Sequence, residues 1–201
     1  MLKQKTCYLV CAGESVPLDF TPCGNDLVIA VDGGAKYLEE SGKKADLFLG
    51  DFDSLGFVPQ AGNVMKLKAE KDETDTTAAV DEGLKRGYRN FEIYCALGGR
   101  LSHTIANINT LLYLSRRGAD AKIVGAHCEL FVIRGKAQFE KGGYLSLLPL
   151  GGNADVIIQN CKYSGNIHLT NENGYGISNE PLEGASVEVV AGEVLAITEN
   201  A

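Results

Sequence analysis

The sequence predicts an α/β fold: an N-terminal domain built on a doubly wound parallel sheet, followed by a smaller all-β sandwich domain. Three observations carry this. The first part of the chain alternates short apolar runs with longer helical patterns. Each helical pattern ends at a glycine, at Gly42, Gly87 and Gly118. From about Glu129 onward no long helical period survives, and Gly-Gly, Gly-Asn, Asn-Gly and Ala-Gly turns separate short strand-like runs.

The strand candidates of the first part are residues 7–12, 27–31, 46–49, 64–67, 91–96 and 121–124. They are rich in Val, Ile, Leu and Phe with little alternation, as strands covered on both faces read. Between them lie helix candidates at 34–41, 74–86 and 102–117, with Val80 and Leu84 on one face of the second and Ser102 as the expected N-cap of the third. In the second part the strand candidates are 130–133, 144–148, 156–159, 186–190 and 194–198, with Val187 and Val189 facing one way. The expected domains are residues 1–128 and 129–201.

Composition narrows the function classes. The 201 residues are 45% hydrophobic and 22% charged, ordinary for a soluble globular protein with a real core. Asp and Glu total 26 against 19 Lys and Arg, and no basic cluster stands out, which argues against a nucleic-acid partner. No apolar run reaches membrane-spanning length, and the lysine-bearing N-terminus leads into a first strand rather than a signal peptide. Six cysteines without a CxxC pair read as reduced thiols of a cytoplasmic protein, not a zinc site.

The acidic residues follow the strands. Asp32 comes after the second strand, Asp51 and Asp53 after the third, and Asp72 and Asp75 after the fourth, where they open a helix. The fifth strand runs into Leu-Gly-Gly-Arg-Leu-Ser-His, which holds Arg100, Ser102 and His103. Ligands of open parallel sheets bind beyond the carboxyl ends of the strands. Carboxylates gathered there repel one another unless some are protonated or a cation sits among them. An oxygen-only ligand set favours Mg²⁺ or Mn²⁺ over zinc. Each group also has a purely structural reading: Asp72 and Asp75 as helix N-terminal carboxylates, Asp32-Gly33-Gly34 as a turn, Asp51 and Asp53 as solvated loop charge, His103 as a packing residue. The recurrence of an acid after consecutive strands favours a site. Gly33, Gly34, Gly50, Gly98 and Gly99 near the same edge let backbone N–H groups approach phosphate, and Arg100 stands between a glycine pair and a helix start, both suited to anions. No P-loop motif is present.

The ordered set Asp32-Gly33-Gly34, Gly50-Asp51-Phe52-Asp53-Ser54, Asp72-Glu73-Thr74-Asp75 and Gly98-Gly99-Arg100-Leu101-Ser102-His103 resembles the thiamine pyrophosphokinase family. In the second domain Gly176-Ile177-Ser178-Asn179-Glu180 is similar to that family's Ser-Asn-Glu segment. The resemblance implies transfer of the pyrophosphoryl group of ATP to the hydroxyl of thiamine, giving thiamine diphosphate and AMP. It implies a homodimer with thiamine between subunits, near Arg100 and Ser178–Asn179. Carried onto this chain, Asp51, Asp53 and Asp75 would hold the metal, and Asp72, Asp75, Arg100 and His103 would be catalytic. Asp32, Gly33, Gly34, Ser54, Arg100, Ser178 and Asn179 would bind ATP or thiamine. One position departs from the family pattern: Ser102 stands where an Asp usually precedes the His. The chain has no Trp, so a ring stacking on thiamine would come from another residue, such as Tyr175. Two alternatives remain: a pterin-type pyrophosphokinase using the same carboxylates, and a non-catalytic nucleotide-binding protein.

Overall fold

A computed structural model describes residues 4–51, 63–67 and 73–200. The chain divides into two compact units, Met1–Ala126 and His127–Ala201. The first unit runs β1 (Thr6–Val10), β2 (Leu27–Val31), α1 (Gly34–Glu40), β3 (Leu47–Gly50), β4 (Asn63–Lys66), α2 (Asp75–Lys85), β5 (Asn90–Tyr94), α3 (Leu101–Arg116) and β6 (Asp120–Val124). The six strands lie in the order β4-β3-β2-β1-β5-β6, and each neighbouring pair is parallel. The chain therefore winds outward from β1 through β2, β3 and β4, then returns to the other side of β1 with β5. That reversal between β1 and β5 is the switch point at which a doubly wound sheet opens a crevice.

Every residue of β1 and β2 is buried, as their unbroken apolar sequences require. Tyr8, Phe20 and Tyr94 form an aromatic row beside them, with Tyr8 and Phe20 stacked 4.4 Å apart. β4 departs from the expected double cover: three of its four residues are exposed, and it stands last in the strand order. α2 starts where Thr74 Oγ1 accepts from Thr77 N at 3.2 Å, an N-cap bond that satisfies a donor the helix itself leaves open.

The second unit holds β7 (Cys128–Ile133), β8 (Lys136–Phe139), β9 (Tyr144–Pro149), β10 (Ala154–Cys161), β11 (Gly165–Leu169), β12 (Pro181–Ala191) and β13 (Val194–Glu199). β7-β13-β9 and β11-β10-β12-β8 are antiparallel ladders. Leu145, Leu147 and Val194 meet Val156, Ile158 and Val187 in the core between them, so this unit is a sandwich. Val187 and Val189 both turn to that core, as the alternation predicts. Two strands, β8 and β11, are absent from the sequence expectation. Both are short and carry polar residues on alternate positions, and their pairing to β12 and β10 supplies what their own composition does not.

Candidate active site

The carboxyl ends of β1, β2 and β5 and the starts of α2 and α3 surround a cavity of about 580 Å³. Close backbone packing shapes its floor. Gly13 N donates to Cys95 O at 2.7 Å, and a Cβ at Gly13 would lie 2.4 Å from Leu97 O, so the loops after β1 and β5 meet only through glycine. Tyr37 of α1 donates its hydroxyl to Gly13 O at 2.8 Å and fixes the same turn from the other side.

Asp32, Asp51 and Asp75 each offer a carboxylate oxygen within 4.8 Å of the others, all half-buried. Asp32 leaves β2 with φ +48°, a left-handed conformation uncommon outside glycine. Its neighbour in β3 is Gly50, where a Cβ would stand 3.0 Å from Asp32 Cα. A side chain at position 50 would press on the Asp32 backbone, so glycine eases the close approach of β2 and β3 that sets Asp32 near Asp51. Such strained residues persist where the surroundings hold them, commonly at functional sites. Asp75 is the first residue of α2, favourable for a carboxylate against the helix dipole. Three oxygen donors at this spacing fit a hard divalent cation, and their mutual repulsion is relieved when one binds.

Gly98, Gly99, Arg100 and His103 line the same cavity. Arg100 is the N-cap of α3 and Ser102 lies inside the first turn, so the expected Ser102 cap is replaced by an arginine without a side-chain capping bond. The reason is the preceding turn: Gly98 and Gly99 both have positive φ and bring the chain into the helix earlier than the capping preference implies. The Arg100 side chain is thereby left to the cavity, at a helix start that itself favours anions.

Of the residues expected at the site, Asp32, Asp51, Asp75, Arg100 and His103 line one cavity. Gly33 and Gly34 open α1 beside it. Asp53, Ser54 and Asp72 lie outside the described residues. Ser178 and Asn179 belong to the second unit. Cys11, Gly13, Glu73 and Thr76 also line the cavity, and none is among the residues expected from sequence. The first two follow the first strand, so the strand-end signal reaches them once it is extended from acids to every residue type. Cys11 is 3% exposed, its Sγ lies 3.7 Å from Thr76 Oγ1, and burial pushes its thiol up to about 12. It is a neutral wall group, not a nucleophile. Asn107, one turn along α3 from His103, is buried and donates to Ala96 O at 2.7 Å, tying α3 to the end of β5.

The fold is an open parallel α/β sheet with an acidic, arginine-bearing cavity at its switch point, where such sheets hold their ligands. The model of the family described as thiamin pyrophosphokinase, catalytic domain, matches residues 24–123. A thiamine pyrophosphokinase of Bacillus subtilis (strain 168) is 28% identical over 167 residues, covering 77% of this chain and 78% of that protein. The crystal structure of thiamin pyrophosphokinase from Geobacillus thermodenitrificans superposes with a TM-score of 0.80 at 26% identity, covering 98% of both chains. That of the Bacillus subtilis enzyme gives 0.86 at 24% identity, covering 98% of this chain and all of that one, and shares the fold. The chain belongs to the thiamin pyrophosphokinase family.

Proposed function

We propose that this protein binds ATP in the cavity at the β1/β5 switch point and transfers its terminal pyrophosphoryl group to the hydroxyl of thiamine, releasing AMP. The observation that carries this is the presence, in one cavity, of three clustered carboxylates and Arg100. Neither the pterin-type nor the non-catalytic alternative is favoured by the family match.

Asp51 and Asp75, with Asp53 from the same Asp-Phe-Asp run, would hold Mg²⁺ or Mn²⁺, and the position of Asp32 adds it to that set. Such an ion, when bound, would neutralise phosphate charge. The protein's own part is positioning and electrostatics. Asp72 or Asp75 would orient or deprotonate the attacking hydroxyl, a task for which a weak base suffices when the transition state is loose. Arg100 offsets charge that develops on the transferred group, and His103 beside it supports the same oxygens. Gly33, Gly34 and Ser54 complete the nucleotide side. Ser178 and Asn179 mark the thiamine side, contributed across a homodimer. The setting is cytoplasmic; among the described residues no helix is long and apolar enough to cross a membrane.

Product analysis with ATP, Mg²⁺ and thiamine, with and without EDTA, tests the reading. AMP and thiamine diphosphate, lost on chelation, are the expected products, whereas ADP would mean single phosphoryl transfer and refute it.

A further inference from the structure

The segment from Gly176 to Glu180 resembles a substrate-contacting stretch, yet the side chain of Asn179 is almost wholly spent inside the sandwich. It is 5% exposed. Its Oδ1 accepts from Tyr163 N at 3.0 Å and from Glu180 N at 2.9 Å, and its Nδ2 donates to Tyr163 O at 2.7 Å. Two backbone donors on one amide atom and a carbonyl on the other leave a single possible amide orientation. Three of the four hydrogen-bonding positions of an asparagine are thus used, and the last N–H has little access to solvent or ligand.

The backbone around it is fixed as firmly. Asn179 N and O pair with Leu145 O and N at 2.9 and 2.8 Å, Ser178 N donates to Ser146 Oγ at 3.0 Å, and Lys162 N donates to Glu180 O at 2.9 Å. Gly176 lies so close to β9 that a Cβ there would stand 2.1 Å from Leu147 O. Ser178, at φ +55°, is held in the left-handed region by these bonds. The segment therefore joins β9 on one side and the β10–β11 turn on the other. The large side chains of the segment and of the two stretches beside it are exposed instead: Ile177 is 48% exposed, Tyr163 in the turn 63% and Tyr175 just before the segment 76%.

We infer that Asn179 is a positioning residue for thiamine binding: it does not touch the substrate but locks the Tyr163 turn against the Ser178 segment so that the exposed surface has one shape. This rests on the thiamine reading above. It assigns the energetic effect of Asn179 to order in the Tyr163 turn, a preorganisation effect on binding rather than on chemistry.

The test is a set of full-length variants, Asn179→Ala, Asn179→Asp, Tyr163→Ala and the Asn179→Ala/Tyr163→Ala pair. Each is assayed for kcat and for KM toward thiamine and ATP, with amide exchange followed in the peptide covering 161–165. Both Asn179 variants should raise KM for thiamine about tenfold and leave kcat and KM for ATP within about twofold. Asn179→Asp keeps the acceptor for Tyr163 N and loses the donor to Tyr163 O, so it should fail like alanine. The pair should lose less than the sum of the two single variants, since the part of the Asn179 effect that passes through the Tyr163 ring is already gone. Exchange at 161–165 should quicken at least tenfold in Asn179→Ala.

Fully additive losses in the pair would show that Asn179 does not act through Tyr163 and overturn the inference. So would an unchanged KM for thiamine, or unchanged exchange. Absence of thiamine turnover in the unmodified enzyme would instead sink the thiamine reading itself, while the exchange result would still report whether the brace exists.

Discussion

Asp32 and Asp75 hold carboxylate oxygens within 4.8 Å of each other, one at the end of β2 and the other at the start of α2. Without a cation this contact, shared with Asp51, costs the fold energy. Asp75→Asn should therefore do two opposite things. Mg²⁺-dependent turnover should fall by at least about a hundredfold, the scale on which lost electrostatic positioning acts. Thermal stability without metal should rise by roughly 2–4 °C, the shift that about 1 kcal/mol of relieved repulsion gives at this chain length. Calorimetry with and without Mg²⁺ checks this, because the increment that metal gives the unmodified protein should shrink in the variant. A variant as active as the parent would refute the metal assignment.

Gly34 is the first residue of α1, and a Cβ there would stand 1.9 Å from Val10 O, a backbone atom that cannot move aside. Gly99 has open space around it but a φ of +66°. Alanine at Gly34 should cost several kcal/mol, on the order of a severe overpacking change, because β1 and α1 must separate. Alanine at Gly99 should cost only about 1–2 kcal/mol of backbone strain. Urea midpoints of the two variants give the comparison directly.

Replacing Asn107 with Leu keeps the bulk of the α3 side chain and removes its 2.7 Å bond to Ala96 O. The carbonyl is left without that partner at the cavity wall, so stability should drop by about 1–3 kcal/mol. If the bond also sets α3 relative to Gly98 and Gly99, KM for ATP should rise in the same variant. Stability lost with KM unchanged would limit Asn107 to a structural role.

Burial raises the thiol of Cys11 to about 12 and raises that of Cys7 as well. A thiol whose folded pKa lies above its unfolded value holds its proton more tightly when folded. Its contribution is complete below about pH 9 and is lost as pH climbs from there towards 12. Denaturant midpoints should thus fall as pH rises from about 8.5 to about 11, and Cys11→Ala should flatten that slope. At neutral pH the exposed Cys23 should react with a thiol reagent well before Cys11 does.

Much of this protein follows from local pattern. Apolar strand runs, glycine stops such as Gly42 and Gly87, and the change of pattern near Glu129 depend on residues close in sequence, so they are legible in the chain itself. The carboxylates at strand ends are legible for the same reason, and Asp32, Asp51 and Asp75 do share a cavity with Arg100 and His103. The Ser102 cap does not form because Gly98 and Gly99 shift the helix start, a choice made by backbone conformation and not by capping preference.

Which groups meet, and what each side chain is free to do, is settled by packing. That Asp32 stands within reach of Asp51 and Asp75 goes with the tight approach of β2 to Gly50 in β3, and Cys11 at the end of β1 and Glu73 and Thr76 at the start of α2 come to one cavity only in the folded chain. That Asn179 braces Tyr163 depends on a turn sixteen positions earlier folding back beside it. Element types and the chemistry available at their ends could be read from the amino acids alone, because both arise from neighbours along the chain. Strand order and side-chain partnership are long-range, and they exist only once folding brings distant segments within a few ångströms of each other.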